Sequence, residues 1–168
     1  MKDKDVIITF LGLVISQIIL LCLMFFFFGV EHPFSNLYQV GRPLLFILSA
    51  IVIMIPLYMI FGYIFIVGRN QRTNLQRSLV FGCLYYALAL MVIWALANIL
   101  TITNIAPNAW EIYVIANFPT AVIINSIDIA HDALNPLFLL TAIAPSLFFG
   151  LGGYLRIRRL KIKELIES

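Results

Sequence analysis

The chain is 168 residues long, 62% apolar and only 11% charged, with a mean hydropathy of +1.03. Soluble domains run at roughly 45–50% apolar and about 25% charged, so this chain lacks the residues for a polar skin, and a water-soluble enzyme or binding domain is excluded. The net charge of +3 and pI near 9.0 do not indicate nucleic acid as a partner. Lysines and arginines retained on the cytoplasmic side of a membrane protein give the same balance.

The chain opens on a short charged stretch, Met1–Asp5, followed by an apolar run over 6–29. About 20 apolar residues suffice to cross a bilayer, and the run is too long for the apolar core of a cleavable signal, typically about 7–15 residues. Gln17, beside Ser16, is the strongly polar side chain near its middle. An amide there is expected to bond a neighbouring helix or its own backbone. A loop with Glu31 and His32 leads to a second span over 43–67, with Pro43 at its start, where a missing N–H costs nothing, and Pro56 inside it.

The stretch 68–77 (GRNQRTNLQR) is a polar interruption carrying Arg69, Arg72 and Arg77. A third span follows over 78–100, with Ser78 placed to cap it. The segment 101–135 begins with turn formers (Thr103, Asn104, Pro107), and Asn108 with Glu111 reads as a helix start. An apolar stretch over 112–127 is broken by Asn117, Pro119 and Asn125 and closes on Asp128, His131 and Asp132. The last span covers 136–155, and a basic tail (156–168) holds Arg156, Arg158, Arg159, Lys161 and Lys163.

Charge decides the number of crossings. With four spans in two hairpins, ten of the eleven Lys and Arg residues fall on one side, and Glu31, Glu111, Asp128 and Asp132 on the other. That is a positive-inside pattern with both termini cytoplasmic. A fifth crossing by 112–127 would carry the basic tail outside, and sixteen helical residues reach only roughly 24 Å. The expected fold is therefore an all-α integral membrane protein. It forms a single membrane domain of four transmembrane helices, with a short, partly apolar helical segment in the second extracytoplasmic loop, either interfacial or dipping into the bundle.

Helices in lipid associate through close contact at small residues. Ala142, Ser146 and Gly150, spaced by four, form such a face on the last span, and Gly12 and Ser16 form one on the first. The second and fourth spans also echo each other: each opens on a proline, carries a later one (Pro56, Pro145) and has a Phe-Gly pair. Such an echo arises either by duplication or by the limited alphabet of apolar helices. Cys22 and Cys83 fall at opposite depths, too far apart for a disulfide.

The outer Asp128, His131 and Asp132, with Glu31 and His32, form a candidate ligand or metal group, because carboxylates and imidazole at helical spacing share a face. The basic tail and central arginines are expected to set topology or to attract anionic lipid, topology alone being the simpler reading. The four spans contain no Asp, Glu, Lys, Arg or His, the groups that proton relays and many ion-coupled carriers use. No P-loop, dinucleotide fingerprint or GxSxG elbow occurs, and nothing in the sequence calls for a cofactor or names a catalytic residue. The Ile-, Phe-, Leu- and Asn-rich composition fits a bacterial origin. The expected role is that of a non-enzymatic accessory, regulatory or immunity-type protein of the plasma membrane. It would pack against a membrane-protein partner or a second copy of itself. A small permease or substrate-binding membrane subunit, or an envelope enzyme using the outer Asp/His group, are the alternatives.

Overall fold

The computed structural model describes residues 2–28, 43–66, 75–117 and 137–167. These form five α-helices: α1 (Lys2–Phe28), α2 (Pro43–Phe65), α3 (Leu75–Ile102), α4 (Ala109–Ala116) and α5 (Leu137–Glu167). No strand occurs among the described residues. In hydrocarbon a backbone has no water to bond, and a helix satisfies its N–H and C=O groups within one segment. Long runs of Ile, Leu and Phe therefore fold as helices despite the weak helix propensity of β-branched residues. The stretches Lys4–Leu23, Leu75–Ile102 and Leu139–Lys163 are long and apolar enough to cross a membrane, and Ile51–Phe65 is a shorter apolar helix. The chain has the make-up of a multi-pass membrane protein. Its outward face agrees, since Ile18, Val52, Val80, Leu96 and Leu147 are all exposed.

Three boundaries differ from the sequence expectation. Helix α1 begins in the charged start, α3 begins at Leu75, and α5 continues through the basic tail to Glu167. Lys, Arg, Leu and Glu are all good helix formers, so the helices run past the apolar limits. Ser78 consequently lies inside α3, buried, and does not cap it. Pro56 and Pro145 sit within continuous helices, as bundles in lipid allow when neighbours resatisfy the freed carbonyl.

Helix α5 packs most extensively on α2 and α3, and α1 packs on α3. The α2–α5 contact is the tightest. A Cβ placed on Gly62 would stand 2.0 Å from the Phe149 carbonyl oxygen, and one on Gly152 would stand 2.0 Å from that of Met59. The backbones touch, as small residues permit. Their approach brings the fully buried Phe149 ring against Phe65, at 6.1 Å between centroids. Helix α1 meets α3 where Gly82 faces the Thr9 side chain, 2.6 Å from its ideal Cβ position.

After α3 the chain turns at Asn104, whose φ of 60° is left-handed, a region Asn tolerates because its short side chain bonds locally. Thr103 N–H still bonds Ile99 O (2.9 Å), and Ala109 N–H bonds Ala106 O (3.0 Å). This turn sends α4 back along α3, against which it packs.

Alanine gains about 1 kcal/mol of helix propensity over glycine, yet no rotamer relieves a 2.0 Å approach to backbone oxygen. Gly62→Ala and Gly152→Ala should each lower unfolding free energy by about 2 kcal/mol or more in a mixed-micelle denaturation. Gly150→Ala, whose Cβ meets only the Cys83 sulfur at 3.4 Å, should change it by less than about 0.5 kcal/mol.

Candidate functional site

Helix α4 ends on Asn117, which is fully buried. Its backbone N–H closes the last helical bond, to Tyr113 O at 2.9 Å. The carbonyls at a helix C-terminus lack intrahelical partners, and here one of them, Ala116 O, points into the bundle. Gln17 supplies the donor: its Nε2 bonds Ala116 O at 3.2 Å and Asn117 Oδ1 at 3.3 Å. Because a backbone carbonyl only accepts, the amide nitrogen of Gln17 must face it, and Oε1 turns to the other side. There the Tyr58 hydroxyl, buried in α2, donates to Oε1.

The network continues into α5. Asn117 Nδ2 donates to Tyr113 OH (3.1 Å) and to Thr141 Oγ1 (3.0 Å). The Tyr113 and Thr141 hydroxyls are themselves 2.8 Å apart. Four helices thus meet in one set of side-chain hydrogen bonds: α1 through Gln17, α2 through Tyr58, α4 through Tyr113 and Asn117, and α5 through Thr141. Each amide nitrogen has two acceptors for its two hydrogens. Burial pushes the Tyr113 phenol above its ordinary range, and its bonds with Thr141 and Asn117 offset part of that. The cluster is uncharged around neutral pH.

Gln17 lies thirteen residues beyond Lys4 and eleven before Phe28, roughly 20 Å and 16 Å along the axis. Gln17 therefore lies near the middle of α1. The segment after α3, expected either to be interfacial or to dip inward, is described over 109–117, where Tyr113 and Asn117 are buried against the bundle.

Gly12, Ser16 and Gln17 all face inward. The Ser16 hydroxyl is spent on its own helix, on Gly12 O at 2.6 Å. A Cβ on Gly12 would meet Phe65 at 3.0 Å. Ala142 and Ser146 are buried, and Gly150 is half-buried. Arg77 is exposed over the Phe81 ring at 5.4 Å. Arg156 and Arg159 donate to Tyr63 OH at 3.0 and 2.8 Å, whereas Arg158, Lys161 and Lys163 are exposed. Asp128, His131, Asp132, Glu31, His32, Arg69 and Arg72 lie outside the described residues. Among the described residues, no group of three or more His, Cys, Asp or Glu side chains is placed to hold a metal. Cys22 and Cys83 are free thiols.

Sequence reasoning singled out Gln17 but not its partners. Asn117 was visible as a break in an apolar run. Tyr58, Tyr113 and Thr141 carried no signal, since tyrosine and threonine are ordinary occupants of membrane helices. No family model, no curated protein and no solved structure matches this chain.

Gln17→Leu removes the donor to Ala116 O and the acceptor for Tyr58, at a cost of about 1–3 kcal/mol for buried groups left unpaired. The expected result is release of α4. A cysteine placed at Ala116 should resist an aqueous thiol reagent in the parent and react at least about tenfold faster with Gln17→Leu. Equal protection in both would show that α4 is held by apolar packing instead.

Proposed function

We propose that this chain is a four-span protein of the bacterial plasma membrane with both termini cytoplasmic. It acts without catalysis, as an accessory, regulatory or immunity-type component that binds a membrane partner through its lateral surface. The observation that carries this reading is the saturation of the deep polar network. Gln17 and Asn117 spend their amide hydrogens on groups of the same chain, so the polarity of this network serves to hold α4. What the fold then presents to its surroundings is the apolar outer face of α1, α2, α3 and α5. In lipid such faces recognise other helices by shape and small-residue contact.

The geometry also favours a second reading, a small permease or substrate-binding membrane subunit. A helix that ends at mid-depth beside polar side chains is the arrangement transporters use to hold substrates. The network would then have to open, with solute groups replacing the Gln17 and Asn117 bonds.

Two measurements separate these readings and check the topology. A photo-crosslinking residue at Val52, Leu88 or Leu96, all outward, should capture one discrete membrane protein, or a second copy, in intact membranes. Adducts to lipid alone at every position, together with Gln17-dependent solute flux in proteoliposomes, would replace the accessory reading with the permease one. For topology, cysteines at Ala133 and Ser168, with Cys22 and Cys83 removed, are treated on intact cells with an impermeant reagent. Labelling is expected at Ala133 only; labelling at Ser168 would mean five crossings.

A further inference from the structure

An open groove runs between α3 and α5 on the outer surface and encloses about 390 Å³. Its floor is made of small residues, Cys83, Ala87, Ser146 and Gly150, and Leu84 and Leu147 stand among its walls. It begins at Gln76 on α3 and Tyr154 on α5 and ends near Ala87 and Ile143. Each wall therefore covers eleven residue steps, or roughly 16 Å of helix. That is about half of a hydrocarbon layer of about 30 Å. The groove is one leaflet deep, on the leaflet next to the basic end. A transmembrane helix of a partner needs a seam through both leaflets, whereas an acyl chain needs only one.

The polar end of the groove has a matching charge. Arg158 and Lys161 follow Tyr154 by four and seven residues, so they continue the groove-facing stripe of α5. They rise roughly 6 and 10 Å beyond it, at headgroup level. Both are exposed, and no hydrogen bond or ion pair engages either among the described residues. Their neighbours behave differently: Arg156 and Arg159 turn the other way and are held by Tyr63 of α2. Of four basic residues within one and a half turns, two lock α5 to α2. The other two stand unpaired above an apolar slot.

We propose that the α3–α5 groove binds one acyl chain of an anionic phospholipid, with the lipid phosphate held between Arg158 and Lys161. The site is independent of the partner-binding reading above, since it needs neither a protein partner nor a particular topology.

The test is native mass spectrometry of the full chain in mild detergent, titrated separately with phosphatidylglycerol and phosphatidylcholine. One phosphatidylglycerol should bind about tenfold more tightly than phosphatidylcholine, in keeping with two basic side chains at the headgroup. Arg158→Gln/Lys161→Gln, a change at exposed positions, should reduce that preference to about onefold. Lys2→Gln/Lys4→Gln, which removes the same charge from α1, should leave it intact. Gly150→Leu, which fills the floor of the groove, should abolish the tight adduct of either lipid. Equal affinity for the two lipids in the parent, or equal loss of preference in both charge variants, would reduce the effect to general electrostatics and overturn the site. So would a parent that runs as a dimer and becomes monomeric with Gly150→Leu, because a second copy would then occupy the groove.

Discussion

The structure depends on one constraint: a carbonyl at the end of a helix buried inside the bundle must find a donor from within the protein. Helix α4 ends that way, and Gln17 is the side chain that reaches it. A buried, unsatisfied peptide group costs several kcal/mol in hydrocarbon, while interhelical side-chain bonds are worth only about 1 kcal/mol net. The asymmetry between those magnitudes explains the form of the network. Its members contribute little to the total stability of the bundle. They make every alternative docking of α4 expensive, since moving the helix by one turn would strand Ala116 O, Asn117 and Tyr58 together.

The opposite half of the bundle is held by other means. There α2 and α5 come together at Gly62 and Gly152, and neither position has space for a Cβ. Dispersion between touching backbones falls off steeply with separation, so this contact specifies a crossing as narrowly as hydrogen bonds do. The two devices divide the molecule. Packing fixes the half near the basic end, and polar bonding fixes the half that receives α4. Thr141 and Phe149, two turns apart on α5, belong one to each, so α5 is the element through which the two halves keep register.

The apolar helices were legible because lipid imposes a length and leaves the chain no other way to satisfy its backbone. The boundaries were less so: hydropathy marks where apolar residues stop, but Leu75, Lys161 and Lys163 continue helices without being apolar spans. For the site, Gln17 stood out as an amide in an apolar run, expected to bond either a neighbouring helix or its own backbone, and its side chain reaches Tyr58, Ala116 and Asn117. Its partners come from α2 and from the end of the short α4, separated by 41 to 100 residues, and Thr141 of α5 joins through Asn117. No local pattern encodes such a meeting. The small-residue argument named Ala142, Ser146 and Gly150 on α5, whereas the closest backbone approach of that helix is at Gly152. Spacing alone could not tell that Gly152 meets backbone whereas Gly150 opens onto a groove; two residues apart on a helix, they point about 200° from each other.

The basic end shows why counting charges understates what they do. The positive-inside rule treats Arg156, Arg158, Arg159 and Lys161 as equivalent, and their sum exceeds what orientation requires. A helix rotates about 100° per residue, so this cluster divides into two stripes. Arg156 and Arg159 fall on the α2 side, where one tyrosine oxygen accepts from both and the Tyr63 ring lies 4.9 Å from the Arg156 guanidinium. Those two cations thereby take part in the α2–α5 contact, although Arg159 stays exposed. Arg158 and Lys161 fall on the α3 side, above the slot floored by Gly150 and Cys83. Because Gly152 already fixes how close α5 lies to α2, the rotation of α5 is not free to adjust. The same backbone contact that sets the α2–α5 crossing therefore also decides which two of the four charges turn toward Tyr63 and which two do not.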